Sequence, residues 1–272
     1  MRTGLALTSL TLDVAQMVRE TAITGLLRLA TYRPAGSAHA LRQSAAATHA
    51  PAVGHRTPVV LVHGFGGNAS TWSPLERRLS LAGFTSLHVT AYSPFARCVS
   101  DVARALVSDC HDAMQSAGTD QVHLIGYSLG GVVVRYAVQE LGLEPHVRTA
   151  VTVASPHRGT LAAQLGRGTV AAALMPGSRI LEELRRKTRP SSVRWVSYYS
   201  DRDWVVRPSS SRLEERALRA TNVLVPGVGH LGIVRAPLFL ASVVHVLRHD
   251  GTAEQSDVPH ATGHRNRAGV AA

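Results

Sequence analysis

The chain has 272 residues, enough for one α/β domain with a full core, and 45% of them are hydrophobic, which excludes a disordered or fibrous chain. Its formal net charge of +11 comes from 29 basic residues, all arginine except Lys187, and acids interleave them, as in Leu181-Glu182-Glu183-Leu184-Arg185-Arg186. With no recognition helix, no metal-finger spacing and no aromatic–basic stacking pattern, that charge argues against a nucleic-acid partner and suits anionic lipid head groups instead.

Residues 4–30 carry apolar side chains at helical spacing and predict one or two helices. The longest uncharged run, Thr3 to Leu12, is ten residues, too short to span a bilayer. Asp13, Arg19 and Glu20 interrupt the segment, so it makes a poor secretory signal. The expectation is a helix packed on the domain or lying in a membrane interface, dispensable for the chemistry. Residues 33–57, rich in Ala, Ser, His, Pro and Gly without periodicity, read as a linker. The division expected is therefore an N-terminal helical segment and linker over 1–56, a catalytic domain over 57–250, and a polar, disordered tail over 251–272. The two cysteines, Cys98 and Cys110, flank most of a predicted helix over 100–115; twelve helical residues span about 18 Å, too far for a disulfide. Free thiols favour a reducing compartment, so the expected location is the cytoplasm or a membrane periphery, with export left open.

Within the catalytic domain, Pro58 to Val62 is a continuous apolar strand that ends in His63-Gly64-Phe65-Gly66-Gly67. A helix over Trp72–Leu81, a strand over Thr85–Ala91 and a helix over 100–117 follow. Val122 to Ile125 is a short strand apolar on both faces, and Leu129 to Val138 has helical spacing. Thr149 to Ala154 is the next buried strand, closing on Ser155-Pro156-His157-Arg158-Gly159-Thr160. Residues 161–190 break the alternation with short helical pieces that predict a cap, with Leu161, Leu165, Val170, Leu174 and Met175 lining an apolar groove. Strands over Val193–Ser200 and Thr221–Val225 and a helix over Ala236–Leu247 complete the pattern. Strands alternating with helices imply a doubly wound, mostly parallel sheet, here with a small helical cap and an N-terminal helical extension.

The chemistry centres on Gly126-Tyr127-Ser128-Leu129-Gly130, between a strand and a helix. A chain that turns so sharply needs glycines where a Cβ would strike its neighbours, and it presents Ser128 at the tip with a helix N-terminus beneath it. A serine hydroxyl needs a base, and the base a carboxylate to orient it. Among 14 histidines, His230 stands in a glycine-flanked loop after the last strand, at the sheet edge where such sites gather. His63, His123 and His157 have structural roles as alternatives: shaping the glycine-rich loop, filling a strand interior, and bonding locally after Pro156. The acid is Asp201 or Asp203; Asp203 is favoured because Trp204-Val205-Val206 would anchor and shield it, while Asp201 can cap the turn. The backbone N–H groups of Phe65 and Leu129 are the candidate oxyanion donors. No metal or cofactor is called for.

The segments PVVLVHGFGG, HLIGYSLGGVVVRYA, SPHRGT, YSDRDWVV and VPGVGHLGI, in this order over about residues 57–247, resemble the α/β-hydrolase superfamily and, within it, bacterial triacylglycerol lipases and esterases. The resemblance implies the α/β-hydrolase fold and a serine ester hydrolase for lipid or other apolar acyl esters, working through an acyl-enzyme. Its acid motif, S-x-x-D-x-x-V, falls on Ser200, Asp203 and Val206; its histidine motif falls on His230, and the oxyanion position after H-G on Phe65. Acyl transfer or thioester cleavage on the same triad, and a non-catalytic binding role for the fold, are the alternatives. Residues 1–56 and the insert 161–190 depart from the smallest members of that group.

Overall fold

The computed structural model describes residues 55–92, 96, 98–166 and 168–249. The expectations for the N-terminal helices, for the linker up to residue 54 and for the tail lie outside the described residues.

Six strands form one parallel sheet: β1 (Val59–Val62), β2 (Leu87–Thr90), β3 (Val122–Tyr127), β4 (Val147–Val153), β5 (Arg194–Tyr199) and β6 (Thr221–Leu224). Their spatial order is β2-β1-β3-β4-β5-β6. Every neighbouring pair is parallel, so each connection is a crossover long enough to hold a helix. The main helices are α1 (Ser73–Leu81), α2 (Val99–Ala117), α3 (Leu129–Glu140), α4 (Thr169–Ala173), α5 (Arg179–Arg186), α6 (Pro208–Ser211) and α7 (Pro237–Arg248). Among the described residues no helix is long and apolar enough to cross a membrane.

The strand sequences explain the two-layered core. Alternate side chains leave opposite faces. Val60, Val62, Leu124, Ala150 and Trp195 join a cluster with α2 and α3 residues such as Leu106 and Val133. Val59, Leu61, Ile125, Val151 and Val196 join a second with Leu75, Phe239 and Val243 of α1 and α7. A strand buried on both faces has no polar alternation, which is why β1 reads as an unbroken apolar run.

Most element ends fall within two residues of the sequence expectation, and two strands are longer at one end than expected. β3 runs on to Tyr127, and β4 begins at Val147, because pairing with neighbours continues the strands past the runs of β-branched residues. The insert differs more. Val170, Leu174, Leu181 and Leu184 are buried in the α2–α3 cluster, so Val170 and Leu174, expected to line a groove, pack in the core instead. Leu161 and Leu165, on a 3-10 turn (Leu161–Leu165), are exposed.

A buried ion pair locks one flank of α3. Arg135 of α3 donates to Glu215 at 2.8 Å, to Leu184 O at 3.3 Å, to Thr188 Oγ1 at 3.2 Å and, through Nε, to Gln139 at 2.7 Å. One guanidinium thereby ties α3 to α5 and to the segment before β6. Cys98 caps α2 and Cys110 is buried in it; both are free thiols.

The order of strands places the site. β1 connects outward to β2, while β3 to β6 proceed the other way, so the direction reverses between β1 and β3. In an open parallel sheet the loops leaving the C-terminal ends of those two strands diverge and leave a crevice. Here those loops are residues 63–68 and the turn at Ser128.

Candidate active site

β3 passes into α3 through a single residue. Ser128 has φ 53° and ψ −119°, a conformation that a side-chain-bearing residue adopts under strain. Two glycines make the turn possible: a Cβ on Gly126 would lie 2.4 Å from Gly130 O, and one on Gly130 would lie 2.2 Å from Val62 O. The Ser128 N–H is anchored to Val153 O at 2.8 Å. Its side chain therefore stands at the tip, above the first turn of α3.

The side chains singled out from the sequence converge on this tip. His230 Nε2 is 3.1 Å from Ser128 Oγ, and His230 Nδ1 is 2.7 Å from Asp203 Oδ2. His230 and Asp203 are buried. Asp203 owes its position to the start of the loop after β5: its Oδ1 accepts the N–H groups of Val205 at 2.9 Å and Val206 at 2.7 Å. Those bonds leave Oδ2 for the imidazole. With the Nδ1 proton donated to a carboxylate, Nε2 is left as an acceptor for the Ser128 hydroxyl. Asp201 does something else. It is exposed, and its Oδ1 accepts the N–H of Gly227 at 2.7 Å, capping the loop that carries His230.

The glycine-rich loop lies beside the nucleophile: a Cβ on Gly64 would be 3.0 Å from Ser128 Cβ. Among the described residues the N–H groups of Phe65 and Leu129 make no hydrogen bond. Both belong to backbone flanking Ser128, one at the N-terminus of α3, so both are available to a developing negative charge.

The other histidines have separate surroundings. His63 Nδ1–H donates to Gly64 O at 2.9 Å, and its ring stacks on Tyr92. His123 is buried within β3. His157 Nε2 is 3.0 Å from Thr152 Oγ1, and burial first, then the Arg135 charge, holds its imidazole well below the usual histidine range. Among the described residues no three His, Cys, Asp or Glu side chains are grouped to hold a metal ion.

Two tyrosines escaped the sequence reading. The Tyr92 hydroxyl, just past β2, donates to the carbonyls of His63 and Gly64, at 2.9 and 2.8 Å, and so holds the glycine-rich loop. The Tyr127 hydroxyl donates to His230 O at 3.1 Å. Their signal was place alone: each stands at the C-terminal end of a strand that feeds the crevice.

With this geometry in hand, comparison with known proteins is informative. A family model described as palmitoyl protein thioesterase matches residues 58–212. No curated protein matches the chain. Among solved structures, the mature lipase BlEst2 of Bacillus licheniformis is 18% identical, with a TM-score of 0.61 over 70% of this chain and 91% of that one. Lipase B of Aspergillus fumigatus is 19% identical, with a TM-score of 0.63 over 82% of this chain and 64% of that one. The monoacylglycerol lipase of Paleococcus ferrophilus is 18% identical, with a TM-score of 0.54 over 71% and 96%. At such identities the likeness concerns the fold, which is the α/β-hydrolase fold.

Proposed function

The chain belongs to the palmitoyl protein thioesterase family and is a serine hydrolase acting on ester bonds, and we propose that Ser128, His230 and Asp203 are its nucleophile, its base and the acid that orients the base. The observation that carries this assignment is the continuous chain of hydrogen bonds from Ser128 Oγ through His230 to Asp203.

In the proposed reaction His230 Nε2 takes the hydroxyl proton as Ser128 Oγ attacks the acyl carbonyl. The carbonyl oxygen becomes an oxyanion, which the N–H groups of Phe65 and Leu129 stabilise; one such donor contributes about 3 kcal/mol in comparable sites. The imidazolium, steadied by Asp203, then protonates the leaving alcohol as the acyl–oxygen bond breaks. Water repeats the sequence on the acyl-enzyme and releases the acid. An acceptor alcohol in place of water gives acyl transfer by the same steps.

The substrate class we propose is an ester of an apolar acyl group, met at a lipid interface. Support comes from the exposed apolar side chains at the same edge of the sheet: Phe65 at 41%, Leu161 at 59%, Leu165 at 61% and Trp204 at 39% exposure. The segments that carry them adjoin. A Cβ on Gly166 would lie 3.8 Å from the Phe65 ring, and the Thr160 hydroxyl donates to Val205 O. Large apolar groups clustered in water beside a nucleophile suit an apolar substrate. The family description adds thioesters as a second reading. Turnover of p-nitrophenyl esters, with Ser128→Ala as control and a fluorophosphonate to label the nucleophile, tests the proposal. Loss of both turnover and label in Ser128→Ala is expected; a variant that retains turnover would refute Ser128 as nucleophile.

A further inference from the structure

Tyr127 takes no part in the proposed proton relay, yet it adjoins Ser128 in the chain and its side chain meets His230. It immediately precedes Ser128. Its ring lies against the His230 imidazole, centroids 5.2 Å apart and planes at 35°. The same ring meets Trp72 edge-on, at 6.5 Å and 85°. It also underlies the glycine-rich loop, since a Cβ on Gly64 would come within 3.2 Å of Tyr127 Cδ1. Phenylalanine would fill this buried space equally well. A phenol hydroxyl is costly there unless it finds a partner, and the partner it finds is the backbone carbonyl of His230, 3.1 Å away and 103 residues on in the chain.

That bond joins the main chain of the His230 loop to the end of β3, on the nucleophile's side. From the acid's side the loop is well tied: Val225 N–H donates to Tyr199 O at 2.8 Å, Gly227 N–H to Asp201 at 2.7 Å, and the Ser200 hydroxyl to Val228 O at 2.6 Å. These ties hold residues 225–228. Beyond them the chain must carry His230 across to Ser128, and there the Tyr127 hydroxyl holds the backbone of His230 itself. The imidazole is thus fixed at Nδ1 by Asp203 and at its own main chain by Tyr127, which leaves Nε2 aimed at Ser128 Oγ.

We infer that Tyr127 is a positioning residue for the base, its hydroxyl holding the His230 main chain at the height from which Nε2 reaches Ser128. The inference rests on the triad assignment above. Displacements of about 1 Å at a reacting pair cost on the order of a hundredfold in rate, and a loop released at one of several ties shifts by less than that. For Tyr127→Phe we therefore expect about a tenfold fall in kcat on p-nitrophenyl butyrate, with KM within twofold, and an equal fall in the rate of fluorophosphonate labelling. The ring contacts with Trp72 and Gly64 survive in this variant, so it folds. A second readout needs no turnover: the far-downfield proton resonance of His230 Nδ1–H in one-dimensional NMR, which Tyr127→Phe should shift or broaden. Unchanged kcat and an unchanged resonance, with or without a lower melting temperature, would overturn the inference and reduce Tyr127 to packing. If Ser128→Ala stays active, the triad assignment fails by itself, while the resonance still reports whether Tyr127 holds His230.

Discussion

Exchanging Asp203 for asparagine should disable the site through a proton rather than through a lost shape. Asp203 Oδ1 accepts two backbone N–H groups, from Val205 and Val206, and Oδ2 accepts the His230 Nδ1–H. An asparagine must keep its oxygen on the first two donors, because turning it would set an NH2 group against both. The NH2 then faces Nδ1. Either the imidazole keeps the Nδ1 proton and loses its charge-assisted bond, or it moves the proton to Nε2 and can no longer accept from Ser128. The first choice costs a bond to a charged group, about 1.5–3 kcal/mol, plus a buried donor left unmet, about 1–3 kcal/mol. The sum, about 2.5–6 kcal/mol, is on the order of 10²- to 10⁴-fold in kcat at about 1.36 kcal/mol per tenfold. Asp201→Asn is the control. Its Oδ1 accepts the exposed loop N–H of Gly227 at 2.7 Å and, at 3.5 Å, the Ser200 hydroxyl; an amide oxygen keeps both, and passing from a charged to a neutral acceptor costs about 1 kcal/mol, at most about fivefold. Steady-state kcat on p-nitrophenyl butyrate, with thermal melts to verify folding, separates the two. Equal losses, or more than a tenth of kcat retained in Asp203→Asn, would refute the reasoning.

Three further outcomes concern the frame. Gly130→Ala sets a Cβ 2.2 Å from Val62 O, and backbone cannot yield cheaply there, so a loss of about 3 kcal/mol in urea unfolding is expected together with loss of activity. Glu215→Ala leaves the buried Arg135 uncompensated and should cost about 3 kcal/mol by the same measurement; a change under 1 kcal/mol would mean the ion pair is dispensable. His157 supplies a pH dependence. Burial, then the Arg135 charge, keeps it neutral in the folded chain, whereas the unfolded chain binds a proton near the ordinary value of 6.5. The unfolded state therefore binds more protons as pH falls below about 6.5, and stability drops by up to about 1.4 kcal/mol per pH unit until the depressed folded-state value is reached. His157→Gln should flatten that slope without abolishing it, because burial lowers His88 as well; an unchanged slope assigns the effect elsewhere.

The parts of the molecule legible in the sequence were those where one physical requirement acts on adjacent residues. Val59 to Val62 must be apolar on both faces, and Gly126 and Gly130 must lack a Cβ, so strand and turn could be read directly. Asp203 was separable from Asp201 because Val205 and Val206 follow it, and the structure turns their N–H groups onto its carboxylate. What the sequence hid was set by pairs far apart. Nothing near Arg135 announces Glu215, 80 residues on, and nothing near Tyr127 announces the His230 carbonyl. The same blindness misplaced two residues of the insert: Val170 and Leu174 have helical spacing, which shows that a face is buried but not against what.

That correction bears on selectivity. With Val170 and Leu174 packed in the core, the large apolar side chains still partly in water in the loops after the strands include, among the described residues, Phe65, Leu161, Leu165 and Trp204. A closed groove would gain about 0.8 kcal/mol for every methylene of an acyl chain it buries fully. An open rim buries each methylene on one side, so its preference should climb more gently with chain length. On the proposed reading, discrimination among acyl groups then depends on how these four side chains meet the substrate, while Tyr92, Tyr127 and Asp201 hold the reacting groups in place whichever acyl chain arrives.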